Sequence, residues 1–304
     1  MEPSISIIIA SSGRVEKIRR LLESIYRTEG RERIKPEVVI ANNAVSETIA
    51  EAVRSLAREF DGRNGVRCRE VREPVAGKCR AQNKTIPLTT GRIIAFLDDD
   101  VEVTPGWLQA IDAFFRSHAH DVIQGSILMR PEDQQNQELQ KALHRFRTVD
   151  FLDYGFPPGA DLYTLTGGNM AVKREVFDQA GMFDERLGPG GHGISEDVEF
   201  AKRVIKAGKR IGWEPQAAVY NELDPTRLNE ESFRLRHELQ GRSRLAYKAS
   251  SVWSILPNLA RAIWTFGWYS VTDDERKKYR AKGRFYHYRA MLQEKMKRAT
   301  GSHG

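Results

Sequence analysis

From Ile93 to Leu97 no polar residue interrupts the chain, and it then meets Asp98, Asp99 and Asp100 in succession. A short continuous apolar run of this kind suits a strand buried on both faces, as in a largely parallel sheet covered by helices. Ligands of open α/β sheets sit at the carboxyl ends of strands, so the three carboxylates fall where such folds keep their chemistry. Carboxylates this close repel unless a cation or hydrogen-bond donors neutralise them. An oxygen-only set suits magnesium or manganese bridged to phosphates. Without the apolar run, the same triplet would read as a solvated acidic loop before the helix that begins after Pro105.

The surrounding ~130 residues alternate strand and helix, which predicts a parallel sheet with right-handed crossovers. Strands are expected over 4–10, 37–41, 66–71 and 122–128. The first is followed by a helix with Ile18, Leu21, Leu22 and Ile25 on one face. The second is followed by a helix capped by Ser46, with Ile49, Val53, Leu56 and Phe60 inward. A glycine-containing loop, 73–84, enters a short helix, and a further helix is expected over 105–117. Three strand ends converge with polar residues: Ser11 to Arg14, Asn42-Asn43, and Asp98 to Asp100. That geometry fits a nucleotide lying across the sheet edge, with Arg80 or Lys78 available for its charge.

Five motifs, in order, carry a resemblance. They are the strand-turn near the start, the Gly77 to Asn83 helix with Ala81 in place, Asp98-Asp99-Asp100, Gly167-Gly168-Asn169, and Glu196-Asp197 opening a helix after the glycine-rich 188–193. Together the first ~225 residues resemble a family-2-type inverting glycosyltransferase of the GT-A fold. The resemblance implies an α/β class, a Rossmann-like, mostly parallel sheet flanked by helices, with a C-terminal helical extension. It implies a nucleoside-diphosphate-sugar donor, a UDP-sugar favoured, seated by Ser11, Arg14, Asn43, Gly77, Arg80, Asp98 and Asp99. It implies Mg²⁺ or Mn²⁺ held by Asp100, and catalysis by Asp197 with Glu196 beside it. Gly168, Asn169 and His192 would lie on the acceptor side. Asn43 stands where many members carry an aspartate, and Asn221 where many carry a histidine.

Beyond the shared motifs, helices are expected over 134–148, 173–180 and 196–207, the last capped by Ser195, with a final strand over 213–219. An aromatic, proline-broken loop occupies 151–161. After about Leu228 the character changes, giving a division into a domain of residues 1–228 and a basic, aromatic helical extension of residues 229–304. There Trp253, Trp264 and Trp268 surround the helix-breaking Pro257, between two arginine-rich stretches.

The net charge of +7 and pI near 9.4 point to an anionic partner. Aromatics interleaved with arginine and lysine suit a lipid headgroup interface, and no RNA-binding signature accompanies them, so no nucleic acid is expected. Cys68 and Cys79 make no secreted disulfide framework, and no signal peptide or run of ~18 apolar residues is present. The chain is therefore expected in the cytoplasm, peripheral on the inner face of the cell membrane. The expected function is sugar transfer to a glycan or lipid-linked acceptor hydroxyl in cell-envelope glycan or polysaccharide biosynthesis. The alternatives are a catalytically silent nucleotide-sugar-binding module and a basic nucleic-acid-binding protein.

Overall fold

The computed structural model describes residues 4–146, 151–191, 193–272 and 274–299. They form two compact units. The first comprises the described residues of Met1–Arg130, Phe151–Gly191 and Glu196–Glu222; the second, those of Pro131–Asp150, His192–Ser195 and Leu223–Gly304.

In chain order the first unit opens with β1 (Ile5–Ser11), α1 (Val15–Arg27), α2 (Arg31–Ile34), β2 (Glu37–Asn42), α3 (Glu47–Phe60) and β3 (Arg67–Arg72). It continues with α4 (Lys78–Thr85), β4 (Ile93–Asp98), β5 (Val101–Val103), α5 (Trp107–Ser117) and β6 (Val122–Met129). The helices α6 (Pro131–Gln134) and α7 (Gln137–Arg145) belong to the second unit. The chain re-enters the first as β7 (Asp161–Leu162), β8 (Asn169–Lys173), α8 (Glu175–Ala180), α9 (Glu196–Lys206) and β9 (Ile211–Asn221). The second unit ends with α10 (Glu230–Tyr247), α11 (Val252–Val271) and α12 (Glu275–Ala299).

The strands form one sheet in the order β3-β2-β1-β4-β8-β6-β9-β5, with β7 pairing on β9. One half, β3-β2-β1-β4, is parallel throughout. In the other half β8 runs antiparallel to both β4 and β6, and β5 antiparallel to β9. Period-2 alternation decides which face each side chain covers. Ile5, Ile7 and Ile9 of β1 join Ile18, Leu21 and Ile25 of α1 and Val53, Leu56 and Phe60 of α3. Ile8 and Phe96 point the other way, toward Met170, Phe177 and Phe200. Every residue of β1 and β2 is buried, as a doubly covered strand requires.

Several local expectations change. Pro257 does not break a helix: α11 runs continuously through it. The proline lies in the second turn, where it lacks the N–H that would have bonded the Trp253 carbonyl and its ring crowds that carbonyl, a local cost that the helix absorbs. Ser46 occupies the N-cap position of α3 without a side-chain cap hydrogen bond. Ser195 has φ of 74°, outside the extended backbone of a capping serine. Residues 169–173 are a strand, so the helix expected from 173 starts at Glu175. The helix expected from 134 is observed as Gln137–Arg145, and residues 147–150 lie outside the described residues.

Asn169 shows what holds the two halves of the sheet together. It is buried, and its amide donates to the carbonyls of Ser126 at 2.9 Å and Ala217 at 2.7 Å, while its oxygen accepts from Trp107 Nε1 at 3.0 Å. Gly125 beside it leaves no room for a side chain: a methyl there would come within 2.0 Å of the Ala217 oxygen. Asn169→Ala should therefore strand three buried polar groups and lower unfolding free energy by at least about 2 kcal/mol, read from urea denaturation. An unchanged midpoint would show that these bonds contribute nothing.

Candidate active site

The register of the sheet assembles the site. Ala10 lies opposite Asp98 and Ser11 opposite Asn42, so the carboxyl ends of β1, β2 and β4 are adjacent. The antiparallel strands bring in what parallel crossovers would not. Leu97 pairs with Asn169, which puts Gly167-Gly168 against Asp98; a methyl built on Gly168 would sit 3.5 Å from Asp98 Oδ2. Val101 pairs with Asn221, and the Glu222 N–H donates to the Asp100 carbonyl at 3.0 Å. Asn221 therefore stands beside Asp100.

The three aspartates divide into different environments. Asp99 points inward and is only 1% exposed; it accepts from Ser11 Oγ and from the Arg14 guanidinium, including Nε at 3.2 Å. Burial pushes its carboxyl above the ordinary range, although Arg14 and Ser11 pull against that. Asp99 thus anchors the turn after β1. Asp100 accepts from Arg14 Nη1 at 3.0 Å through Oδ2 and remains partly accessible. Asp98 is the most accessible of the three and pairs with Lys78 Nζ at 2.6 Å.

Of the two basic residues of α4 considered for the cluster, Lys78 faces it and Arg80 does not. The two lie about 200° apart around α4 at 100° per residue, so both cannot face the sheet end. Arg80 turns outward to Glu185 at 3.2 Å. Lys78 points inward, and its Nζ also lies 3.3 Å from Glu196 Oε1. Burial alone would lower the Lys78 pKa, but Asp98 and Glu196 overcome it and hold the ammonium well above its usual value.

The loop before α4 is built for this aim. The Asn43 amide donates to the carbonyls of Glu73 at 2.8 Å and Val75 at 2.7 Å, and its oxygen accepts from the Gly77 N–H at 2.8 Å. Asn43 is therefore a clasp for the 73–77 loop, its polar atoms all engaged there. Gly77 takes φ of 148°, and the Lys78 N–H donates to the Pro189 carbonyl at 2.9 Å. Gly190 abuts Gly77 so closely that a methyl on it would lie 2.8 Å from the Gly77 nitrogen. Residues 188–191 are thus packed against the start of α4.

Asp197 completes the cluster. Its Oδ2 accepts from the Gly167 N–H at 2.8 Å and its Oδ1 from the Val198 N–H at 2.7 Å. Burial and the neighbouring Glu196 push the carboxyl up to about 7, against the pull of those two N–H groups and Lys78. Glu196 itself is buried, with its carboxylate on Lys78. Asn169 belongs to the core of the sheet, and His192 lies outside the described residues. Helical spacing separates Lys78 from Arg80 but does not say which of them faces the sheet, and nothing local marks the Gly167 N–H as a donor.

Five carboxylates, Asp98, Asp99, Asp100, Glu196 and Asp197, are offset by two cations, Arg14 and Lys78. That excess of negative charge, made of hard oxygen donors, fits a divalent Mg²⁺ or Mn²⁺. Among the described residues no three such side chains converge into a ready cage. Magnesium is commonly held by one or two carboxylates completed by substrate phosphates, an arrangement that needs no cage. Beside the site, an open cleft of about 430 Å³ is lined by Gly13, Arg14, Val15, Thr48, Ile49 and Ala52 among others. Gly13 keeps it open at φ of 103°, where a methyl would meet Ile49 at 2.4 Å.

A family model described as Glycosyl transferase family 2 matches residues 6–181, more than half of the chain. The pre-mycofactocin glycosyltransferase of Mycobacterium tuberculosis H37Rv is 26% identical over 143 residues, covering 47% of this chain and 29% of that protein. Glycosyltransferase AglE of Haloferax volcanii is 21% identical over 216 residues, covering 68% of this chain and 62% of AglE. The chain thus spans less than two thirds of the length of these relatives. Among solved structures, mannosyltransferase PcManGT from Pyrobaculum calidifontis, in complex with GDP-Man and Mn²⁺, superposes with a TM-score of 0.60 at 15% identity. That match covers 100% of this chain and 89% of PcManGT. S. aureus TarS 1–349 in complex with UDP-GlcNAc gives a TM-score of 0.54 at 13% identity, covering 100% and 93% respectively. At these identities the likeness establishes the fold, an α/β GT-A arrangement with a helical C-terminal region.

Lys78→Met should leave Asp98 and Glu196 without their cation and cost about 3–5 kcal/mol of stability near pH 8. The sign with pH comes from linkage: the folded-state pKa of Lys78 is raised, so the stability its charge contributes is fully present at neutral pH and is lost only as pH climbs through that raised value. The deficit relative to wild type, followed as Tm, should therefore persist across neutral pH and shrink only in strong alkali. A deficit unchanged in strong alkali would mean Lys78 acts by packing alone.

Proposed function

This chain belongs to glycosyltransferase family 2, and on that premise we propose that it moves a sugar from a nucleoside diphosphate to an acceptor hydroxyl with inversion at the anomeric carbon. The observation that carries the proposal is the meeting of two groups of carboxylates. Asp197 is pinned by the Gly167 N–H, the next residue lies against Asp98, and Lys78 ties Asp98 to Glu196. A single displacement needs a base on the acceptor side and positive charge toward the leaving group, and these two groups supply places for both.

In this reading Asp197 takes the acceptor proton. A base with pKa near the working pH is the most effective, and the two N–H groups hold its carboxylate in one orientation. Asp100, with Asp98 beside it, would hold Mg²⁺ or Mn²⁺, which when bound neutralises charge on the departing diphosphate. Arg14, braced by buried Asp99, stands at the same strand ends and can turn its guanidinium to phosphate. The nucleoside occupies the cleft lined by Gly13, Thr48 and Ile49, a UDP-sugar being the favoured donor. The mannosyltransferase and TarS structures were solved with GDP-Man and UDP-GlcNAc, which supports a nucleotide-sugar donor without selecting the base. We place the acceptor among cell-envelope glycans or their lipid-linked precursors. The setting is a reducing compartment, in keeping with two free, buried cysteines.

Asp197→Asn should keep donor binding and lose sugar transfer by ~10²–10⁴. Wild-type kcat/KM should rise with pH through about 7 and level off, and the variant should lose that dependence. A variant within about threefold of the wild-type rate would remove Asp197 as base. Asp100→Asn should abolish divalent-dependent nucleoside diphosphate binding, measured by titration calorimetry, since a neutral oxygen replaces an anionic one. Tight donor binding by the wild type with no transfer to any acceptor would instead indicate a silent binding module.

A further inference from the structure

The helix α11 presents an apolar face to solvent. Trp253, Leu256, Ile263, Trp264, Trp268 and Val271 are 83%, 40%, 54%, 67%, 57% and 86% exposed. At 100° per residue they fall within an arc of about 140°. Trp264 and Trp268, one turn apart, stack with ring centroids 6.1 Å apart. The opposite side, with Ile255 and Ala262, is buried. A contiguous exposed apolar face of this kind marks an interaction surface. Burial of the other side fixes which way the tryptophans point, so the exposure is built into the fold of the second unit.

The charge of the surrounding chain says what that surface meets. Residues 229–304 carry sixteen lysines and arginines against seven aspartates and glutamates, so the whole net positive charge of the protein resides there. Exposed basic residues bracket α11: Lys248 before it, Arg261 at the margin of the apolar arc, and Arg276 and Arg280 after it. Among the described residues no helix is long and apolar enough to cross a membrane. Tryptophan rings with basic side chains along their margins match the layered chemistry of a bilayer surface, rings at the acyl boundary and cations at anionic headgroups.

We propose that α11 is an in-plane membrane helix that seats Trp253, Trp264 and Trp268 in the surface of a bilayer containing anionic phospholipid. The inference does not rest on sugar transfer. Membrane attachment would confine the protein to the surface where lipid-linked molecules are found.

The tryptophans report on themselves. The protein has five, and the other two, Trp107 and Trp213, are fully buried in the first unit. The full chain should float with vesicles of phosphatidylcholine and phosphatidylglycerol, its emission shifting to the blue and being quenched by brominated lipid. Pure phosphatidylcholine and high salt should both weaken flotation. Trp264→Gln with Trp268→Gln should lower the partition coefficient at least about tenfold. Both side chains are exposed, so the fold should persist, and nucleoside diphosphate release should match wild type in the absence of vesicles. Wild-type protein that stays unbound at low salt, or a double variant that floats equally, would overturn the proposal. So would a concentration-dependent dimer abolished by the same substitutions without any flotation, which would assign the face to a second copy of the chain. Loss of donor turnover with flotation intact would count against the catalytic reading and leave this one standing.

Discussion

The ion pair of Lys78 with Asp98, 2.6 Å long, and its 3.3 Å contact to Glu196 join α4 and the end of β4 to the start of α9. Five carboxylates crowd one end of the sheet, and such a cluster is tolerated only where cations and N–H groups share its charge. Lys78 serves the pair on one side; Arg14 serves Asp99 and Asp100 on the other. Much of the local backbone exists to aim Lys78. Asn43 clasps the loop that precedes it, Gly77 makes the turn, and the Pro189 carbonyl accepts its N–H.

The same arrangement explains why neighbouring acidic residues differ so much in character. Asp99 and Asp100 are adjacent in sequence, yet one is sealed beneath Arg14 and Ser11 while the other stays accessible. Glu196 and Asp197 open one helix about 100° apart, so one reaches Lys78 while the other is caught by the Gly167 N–H. Desolvation and the neighbouring Glu196 draw the Asp197 carboxyl toward neutrality, against the pull of two N–H groups and Lys78. Pairs of acids driven apart in this way can take separate roles in a single reaction.

The site also depends on the half of the sheet that breaks the parallel pattern. Strand β8 runs antiparallel between β4 and β6, and only that direction sets Gly167 and Gly168 beside Asp98. The very short β5 does the same for Asp100, drawing Asn221 and Glu222 alongside. Glu222 in turn pairs with Lys17 at 3.0 Å and Arg20 at 2.8 Å, fastening α1 to the end of β9. Asn169 ties β8 to β6, β9 and α5 through three hydrogen bonds.

The amino-acid sequence alone determined the parallel half of the sheet, because β-branched runs such as Ile7-Ile8-Ile9 and amphipathic helices such as α1 carry their period in local order. It also located the acidic strand end, since a buried apolar strand that gives way to three aspartates must bring them to the rim of the sheet. The family resemblance was legible for the same reason: its motifs are short and contiguous. Only the tertiary structure decided which carboxylates face one another, that the inward cation is Lys78, and that Asn43 and Asn169 serve as internal clasps. Those outcomes depend on strand register and on partners distant in sequence, which no local pattern encodes. The strands β5 and β8 escaped notice because three to five residues carry too little periodicity to outweigh their surroundings. The exposed face of α11 was half legible: composition showed tryptophans among basic residues, but only packing could show that Ile255 and Ala262, not Trp264 and Trp268, turn inward.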